Sequence, residues 1–359
     1  MPPAATKILV LVSMFASGER GGVTALHLDP ATGALEARHV EHGIHQPFFL
    51  ALHPRADVLY ATAAADFGAG PAERVGAWRI ADREGRLEPL GEESTQGSGT
   101  CYVGADASGQ TLLLANYMSG SVASLPLVGE GKLGAIRSLV AHVGSSVNPA
   151  RQQEPHAHAI LPSPDNRWVY AADLGTDQIL CYRLDPAAAS LEPHPAGTAA
   201  SAPGSGPRHL VFAPGGRRLY AVNELANTVS AFDYDPDSGR LQLQQTIPTL
   251  PPDFAGESYT ADVKISPDGR FLYGTNRGHN SLAVYRIDEG GRLELVEIVP
   301  SLGAGPQNLA ITADGELLLC ANMAGDNLAV FRRDADSGKL APAGEPFAVA
   351  SPSCIMLVP

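Results

Sequence analysis

The stretch Gly206-Pro-Arg208-His209-Leu-Val-Phe-Ala-Pro-Gly-Gly-Arg-Arg-Leu-Tyr-Ala-Val-Asn223-Glu224 reads as two short β-strands around a tight turn. Apolar residues fill both halves, and Pro-Gly-Gly supplies the reversal between them. Five other stretches repeat this outline: Gln46 to Ala63, Thr100 to Asn116, His156 to Asp173, Thr260 to Asn276 and Gly305 to Asn322. Their turn markers are Pro54, Ala107, Pro164, Pro214, Pro267 and Ala313, spaced 46 to 57 residues apart. A third strand follows in most copies, as in Thr228–Tyr234, and a fourth, as in Leu241–Ile247. Alternation has period two throughout, and the spacing suits one four-stranded blade per unit.

The two ends supply a seventh unit. Ser351 to Val358 reads as a first strand with nothing after it, while Ile8–Phe15, Val23–Leu28 and Leu35–Val40 read as the three strands it lacks. A blade shared between the termini closes the ring and removes an open sheet edge. The fold expected is therefore an all-β, seven-bladed β-propeller, with residues 1–359 in one domain. Ser145–Gln153 and Ser201–Gly206 are expected as long surface loops.

Composition narrows the partners. A net charge of -13 argues against nucleic acid or an anionic membrane surface. Cys101, Cys181, Cys320 and Cys354 form no metal-binding or redox spacing and read as buried thiols in a reducing compartment. The run Ile8–Ala16 reads as a strand rather than a leader, so a cytoplasmic location is expected. No run is long enough to span a membrane as a helix. The sequence says nothing of oligomeric state.

The repeat also predicts geometry. The start of each first strand and the end of each second strand meet on one face of the disc, around the channel mouth. Six residues before each turn marker stand Phe48, Cys101, His158, Arg208, Ala261 and Gln307. Just after the Asn or Asp that ends the second strand stand Tyr117, Leu174, Glu224, Arg277 and Met323. The ionisable members, His158, Arg208, Glu224 and Arg277, come from three successive units. Two guanidinium groups suit an anion, and a histidine or carboxylate suits removal of a proton from water or carbon. The competing reading is a structural salt bridge at the rim.

Pro155-His-Ala-His158, Gly206-Pro-Arg208-His209, Val222-Asn-Glu224 and Thr275-Asn-Arg277 together resemble the lactonase family of seven-bladed propellers. That family includes cycloisomerase-type 6-phosphogluconolactonases and fungal carboxymuconate cyclase, and the similarity runs over essentially the whole chain. It implies that His158, Arg208, Glu224 and Arg277 correspond to the residues proposed as the cyclase active site. Arg151-Gln-Gln-Glu154 is similar to the bacterial branch. The expected substrate is a small anionic lactone, hydrolysed without cofactor.

His156, Arg151, Asn223, Asn276 and Gln307 are the expected substrate contacts. His156 and His158 lie two apart on one strand face, but no third ligand suggests a metal. His209 is expected to point away from Arg208 as a packed structural histidine. Asn116, Asp173, Asn223, Asn276 and Asn322 recur at strand ends, which also fits turn chemistry. No G-x-S-x-G, P-loop or dinucleotide fingerprint occurs. Two alternatives to hydrolysis remain: a carboxymuconate-type cycloisomerase and a non-catalytic propeller scaffold.

Overall fold

Both faces of each second strand are apolar, so each needs a neighbouring sheet on either side. Leu112, Leu113 and Leu114 are all fully buried, as are Leu317, Leu318 and Leu319. A ring of sheets satisfies that demand at every position. The computed structural model of the protein describes residues 7–70 and 73–359. Its seven antiparallel sheets succeed one another along the chain, and the first strands of successive blades touch in an unbroken circle.

Blade 1 consists of Leu50–Leu52, Val58–Ala63, Arg74–Ile80 and Leu87–Ser94. Blades 2, 3, 5 and 6 open with Thr100–Ala105, Ala157–Pro162, Tyr259–Ile265 and Pro306–Ile311. Blade 4 carries the stretch quoted first, as Pro207–Phe212 and Arg218–Asn223, followed by Thr228–Tyr234 and Leu241–Pro248. In blade 7 the C-terminal Pro352–Val358 lies innermost, and Ile8–Met14, Gly22–Leu28 and Leu35–Glu41 follow outward. Leu9 pairs with Val358 and Leu11 with Met356, so the two termini close the ring as expected.

The outermost strands are less regular than the repeat suggests. In blades 2, 3 and 6 the fourth strand splits into two short pieces, such as Ser190–Pro193 and Ala199–Ala200. Gly134, Pro195 and Gly344 interrupt these edges. Proline removes a ladder donor and glycine weakens a strand interior, and an edge strand tolerates both.

Blades are tied to their neighbours by a repeated tyrosine. The hydroxyls of Tyr60, Tyr170, Tyr220 and Tyr273 donate to the carbonyls of Gly131, Gly239, Gly291 and Gly338 in the next blade. All four rings are fully buried. Gly338 must turn with φ +74°, and a Cβ there would lie 2.2 Å from the Phe271 ring. Gly338→Ala is expected to cost about 2 kcal/mol or more, from backbone strain and overpacking. Urea unfolding measures the loss, and turnover per folded molecule should not change.

Candidate active site

Local sheet geometry at the mouth differs from a plain strand pair. In blade 4, Pro207 pairs with Asn223 and Leu210 with Ala221, so Arg208 and His209 together oppose a single residue. Blades 2, 3, 5 and 6 carry the same shift at Cys101, His158, Ala261–Asp262 and Gln307. A β-bulge re-aims side chains and releases backbone from the ladder. In blade 4 it brings the side chains of Arg208 and His209 into contact. The expectation that His209 faces away from Arg208 is corrected by this bulge: His209 Nε2 lies 3.1 Å from Arg208 Nη1.

The structure brings His158, Arg208, Glu224 and Arg277 together. Glu224 stands at the centre, its side chain 4% exposed. Its Oε2 lies 2.9 Å from Arg208 Nε and 2.8 Å from Arg277 Nη2, with His158 Nε2 at 4.0 Å. Its Oε1 accepts a hydrogen bond from Arg151 Nη2 at 2.7 Å. Arg151 comes from the loop between blades 2 and 3, and it also reaches the Tyr117 hydroxyl and lies over the Tyr259 ring. Three guanidinium groups thus surround one carboxylate.

Only the Arg151 contact is aligned as a hydrogen bond. The Nε atoms of Arg208 and Arg277 are buried and make no hydrogen bond within the described residues, although each group touches Glu224. Buried donors normally find partners. Arg208 is wholly enclosed, whereas the Arg277 and Arg151 side chains are 27% and 34% exposed. A cavity of about 320 Å³ opens beside Arg277, lined also by Glu257, Tyr259 and Gly278.

Protonation follows from this enclosure. Burial alone would raise the Glu224 carboxyl, but Arg277, Arg208 and Arg151 outweigh it and hold it below the usual range. Burial, with the positive charge of Arg208, holds His158 well below an ordinary imidazole, so it is neutral at pH 7. Burial and the nearby Arg277 bring Arg208 down to about 10, still a cation. Cys101 Sγ lies 3.6 Å from His158 Nδ1, but burial pushes its thiol up to about 12, which excludes a thiolate nucleophile at neutral pH.

The histidines also set acid stability. Burial brings His209 down to about 4, and His158 is lowered too. Unfolded, both take up protons near pH 6.5, so the unfolded state binds more protons below that value. Stability is therefore full above about pH 6.5 and lost as pH falls toward 4. The expected loss is on the order of 3 kcal/mol for His209 alone, read from denaturant midpoints between pH 7 and 4.5.

The remaining expected contacts divide. His156 stacks flat on Tyr117, ring centroids 4.4 Å apart, and Gln307 Oε1 lies 3.4 Å from Arg277 Nη1. Asn223 and Asn276 stand one residue before Glu224 and Arg277. Both are fully buried, with amide nitrogens bonded to Thr228 and Ser230, and to Ser281 and the Thr249 carbonyl. Their Oδ1 atoms make no hydrogen bond among the described residues.

Across the mouth, Phe48 packs with Phe15 and Phe67 to form an apolar wall. Phe49, Tyr102 and His209 pack against one another, with Phe49 stacked on Tyr102 at 4.4 Å. Among the described residues no cluster of His, Cys, Asp or Glu has the makings of a metal site. Sequence reasoning passed over Tyr117 as neutral and missed Tyr259, Asp262 and Asn308. Asp262 and Asn308 stand five residues before their turn markers, as His209 does, one place from the slot that was read.

Comparison with known proteins agrees with this architecture. The family model described as "Lactonase, 7-bladed beta-propeller" matches residues 9–357. A 6-phosphogluconolactonase of Bacillus subtilis is 31% identical over 351 residues, covering 98% of each chain. A 6-phosphogluconolactonase of Formosa agariphila is 30% identical, covering 89% of this chain and 90% of its own. The structure of the periplasmic gluconolactonase PpgL of Pseudomonas aeruginosa superposes with a TM-score of 0.92 at 31% identity, covering 99% of both chains. With its ring of seven blades closed by both termini and a family match along nearly its full length, the chain belongs to the lactonase family of seven-bladed β-propellers.

Proposed function

We propose that the protein hydrolyses a sugar lactone bearing an anionic group, with 6-phosphogluconolactone the leading candidate, and that residues 1–359 act as one unit. The observation that carries this reading is the trio of arginines around Glu224. Two of them hold buried Nε–H groups unbonded within the described protein, beside a neutral imidazole. Three guanidinium groups with a single carboxylate in direct contact favour a further anion. The names of the Bacillus and Formosa relatives support a phosphorylated substrate.

In this reading Arg277 and Arg151, the partly exposed pair, hold the phosphate. The lactone carbonyl lies toward Arg208, and His158 takes a proton from water as that water attacks the carbonyl carbon. The oxyanion that forms is stabilised by Arg208, preset and excluded from solvent. Glu224 stabilises the imidazolium from 4.0 Å away. The acyl–oxygen bond of the ring then breaks, His158 returns the proton to the departing ring oxygen, and a hydroxy acid results. His156, Tyr117 and Gln307 shape the polar side, and Phe48 offers an apolar face to the ring's C–H groups. No step requires a cofactor.

We also place the protein in the cytoplasm. Cys101, Cys181, Cys320 and Cys354 are buried and unpaired, which fits a reducing compartment. The PpgL relative is described as periplasmic, so fractionation decides this point. Among the described residues no helix is long and apolar enough to cross a membrane.

The function is tested by acid release at constant pH, over phosphorylated and plain sugar lactones. Hydrolysis well above the spontaneous rate, fastest with a phosphorylated lactone, is expected. A rate equal to the spontaneous one on every lactone would exclude it. Lactone formation from a muconate without uptake of water would favour the cycloisomerase instead.

A further inference from the structure

Directly beneath the four mouth residues lies a second polar chain that the proposed reaction does not itself use. Asp262 is 1% exposed, and its carboxylate is saturated. His209 Nδ1 lies 2.8 Å from Oδ1, and Lys264 Nζ reaches both oxygens at 2.9 and 2.7 Å. Asn308 Nδ2 and the Leu309 N–H each donate to Oδ2 at 2.8 Å. Burial would raise this carboxyl, but Lys264 and His209 keep it well below the usual range. It is therefore ionised and accepts only.

That fixes the imidazole. Nδ1 must carry the proton that Asp262 accepts, which leaves Nε2 with a bare lone pair. Arg208 Nη1, 3.1 Å away, is a donor only and meets that lone pair correctly. The same Nη1 also donates to the Ala261 carbonyl. The ring cannot swing aside: Phe49 and Tyr102 meet it nearly edge-on, each at 5.6 Å, and His158 lies at 5.5 Å. Asn308, in turn, accepts from the Ile355 N–H of blade 7.

We propose that His209, locked in its Nδ1–H form by Asp262, is a positioning residue that holds the Arg208 guanidinium against Glu224 and the reacting carbonyl. Through a neutral ring, the Asp262 carboxylate compensates Arg208 from below. Arg208 then keeps a second counter-charge when substrate competes for Glu224. A guanidinium with no solvent contact needs such support on the side away from the mouth. The role of His209 rests on the hydrolytic reading, whereas the tautomer and its contact stand apart from it.

Two substitutions separate the halves of the imidazole. In His209→Gln the amide oxygen replaces Nε2 and still accepts from Arg208. In His209→Asn the shorter amide replaces Nδ1, still donates to Asp262, and cannot reach Arg208. The Gln variant should retain kcat within about tenfold of the parent, and the Asn variant should lose about a hundredfold in kcat. Their urea midpoints should be similar. Equal losses in both variants, or parental kcat in both, would overturn the proposal.

If the parent hydrolyses no lactone, the hydrolytic reading fails and nitrogen NMR still decides the contact. The His209 signals, identified by their disappearance in His209→Gln, should show a protonated Nδ1 and a bare Nε2 at pH 7. Arg208→Lys should shift the Nε2 signal. A protonated Nε2, or no shift, rejects the proposed contact.

Discussion

Glu224→Gln should be both the least stable and among the least active single variants of the mouth. The substitution keeps the shape and removes the one negative charge among Arg151, Arg208 and Arg277, all within 2.9 Å of the carboxylate. An amide NH₂ also turns a donor toward donors. Removing one member of a buried ion cluster costs about 3–5 kcal/mol, a large share of a folded protein's usual margin of about 5–15 kcal/mol. Hydrolysis should fall by about a thousandfold, since the His158 imidazolium loses its nearby carboxylate. Urea unfolding and steady-state rates measure the two losses separately. Inorganic phosphate supplies a discriminating control. It should raise the unfolding midpoint of the variant more than that of the parent, because the arginines then lack their internal counter-ion. No greater phosphate effect in the variant would contradict the anion-binding role.

Arg208→Lys should keep the charge and lose the function. The guanidinium touches Glu224 through Nε while Nη1 bonds the Ala261 carbonyl and His209. A lysine ammonium is a point donor and cannot span those directions from one site. A fall in kcat of about a hundred- to a thousandfold is expected, because the lost donor acts on charge that grows in the transition state. KM should change much less. Arg277→Lys, at the more open rim, should show the opposite split, with a raised KM for phosphorylated lactones and a smaller loss in kcat. Equal effects at the two positions would mean that they share one role.

The fold was legible because it repeats. Six turn markers and two incomplete ends defined seven blades, and the closing pair Ile8–Met14 with Pro352–Val358 stands where the terminal strands were expected. Geometry inside a blade was legible only down to strand alternation. Period two puts neighbours on opposite faces, and by that rule His209 belonged on the far side from Arg208. The bulge at Pro207–Leu210 breaks the rule, and a bulge leaves no mark in residue type here.

The asparagines are a different case. Asn223 and Asn276 adjoin Glu224 and Arg277 in the chain, and their amide nitrogens bond nearby hydroxyls and, for Asn276, the Thr249 carbonyl, partners that residue type alone does not reveal. Arg151 was reachable only through family resemblance, since its place depends on the course of a long loop. Tyr259 and Lys264 had no signal beyond their blade. Asp262 and Asn308, in contrast, occupy the place next to the slot in each repeat and stood open to the same reading that found Arg208.

A crystal structure with 6-phosphogluconate, the product of the proposed reaction, tests the account most directly. The phosphate should sit within hydrogen-bond distance of Arg277 and Arg151, and the new carboxylate should face Arg208 and His158. Product bound instead in the cleft of about 400 Å³ lined by His142, Tyr182 and His194, with Glu224 still enclosed by its three arginines, would contradict it.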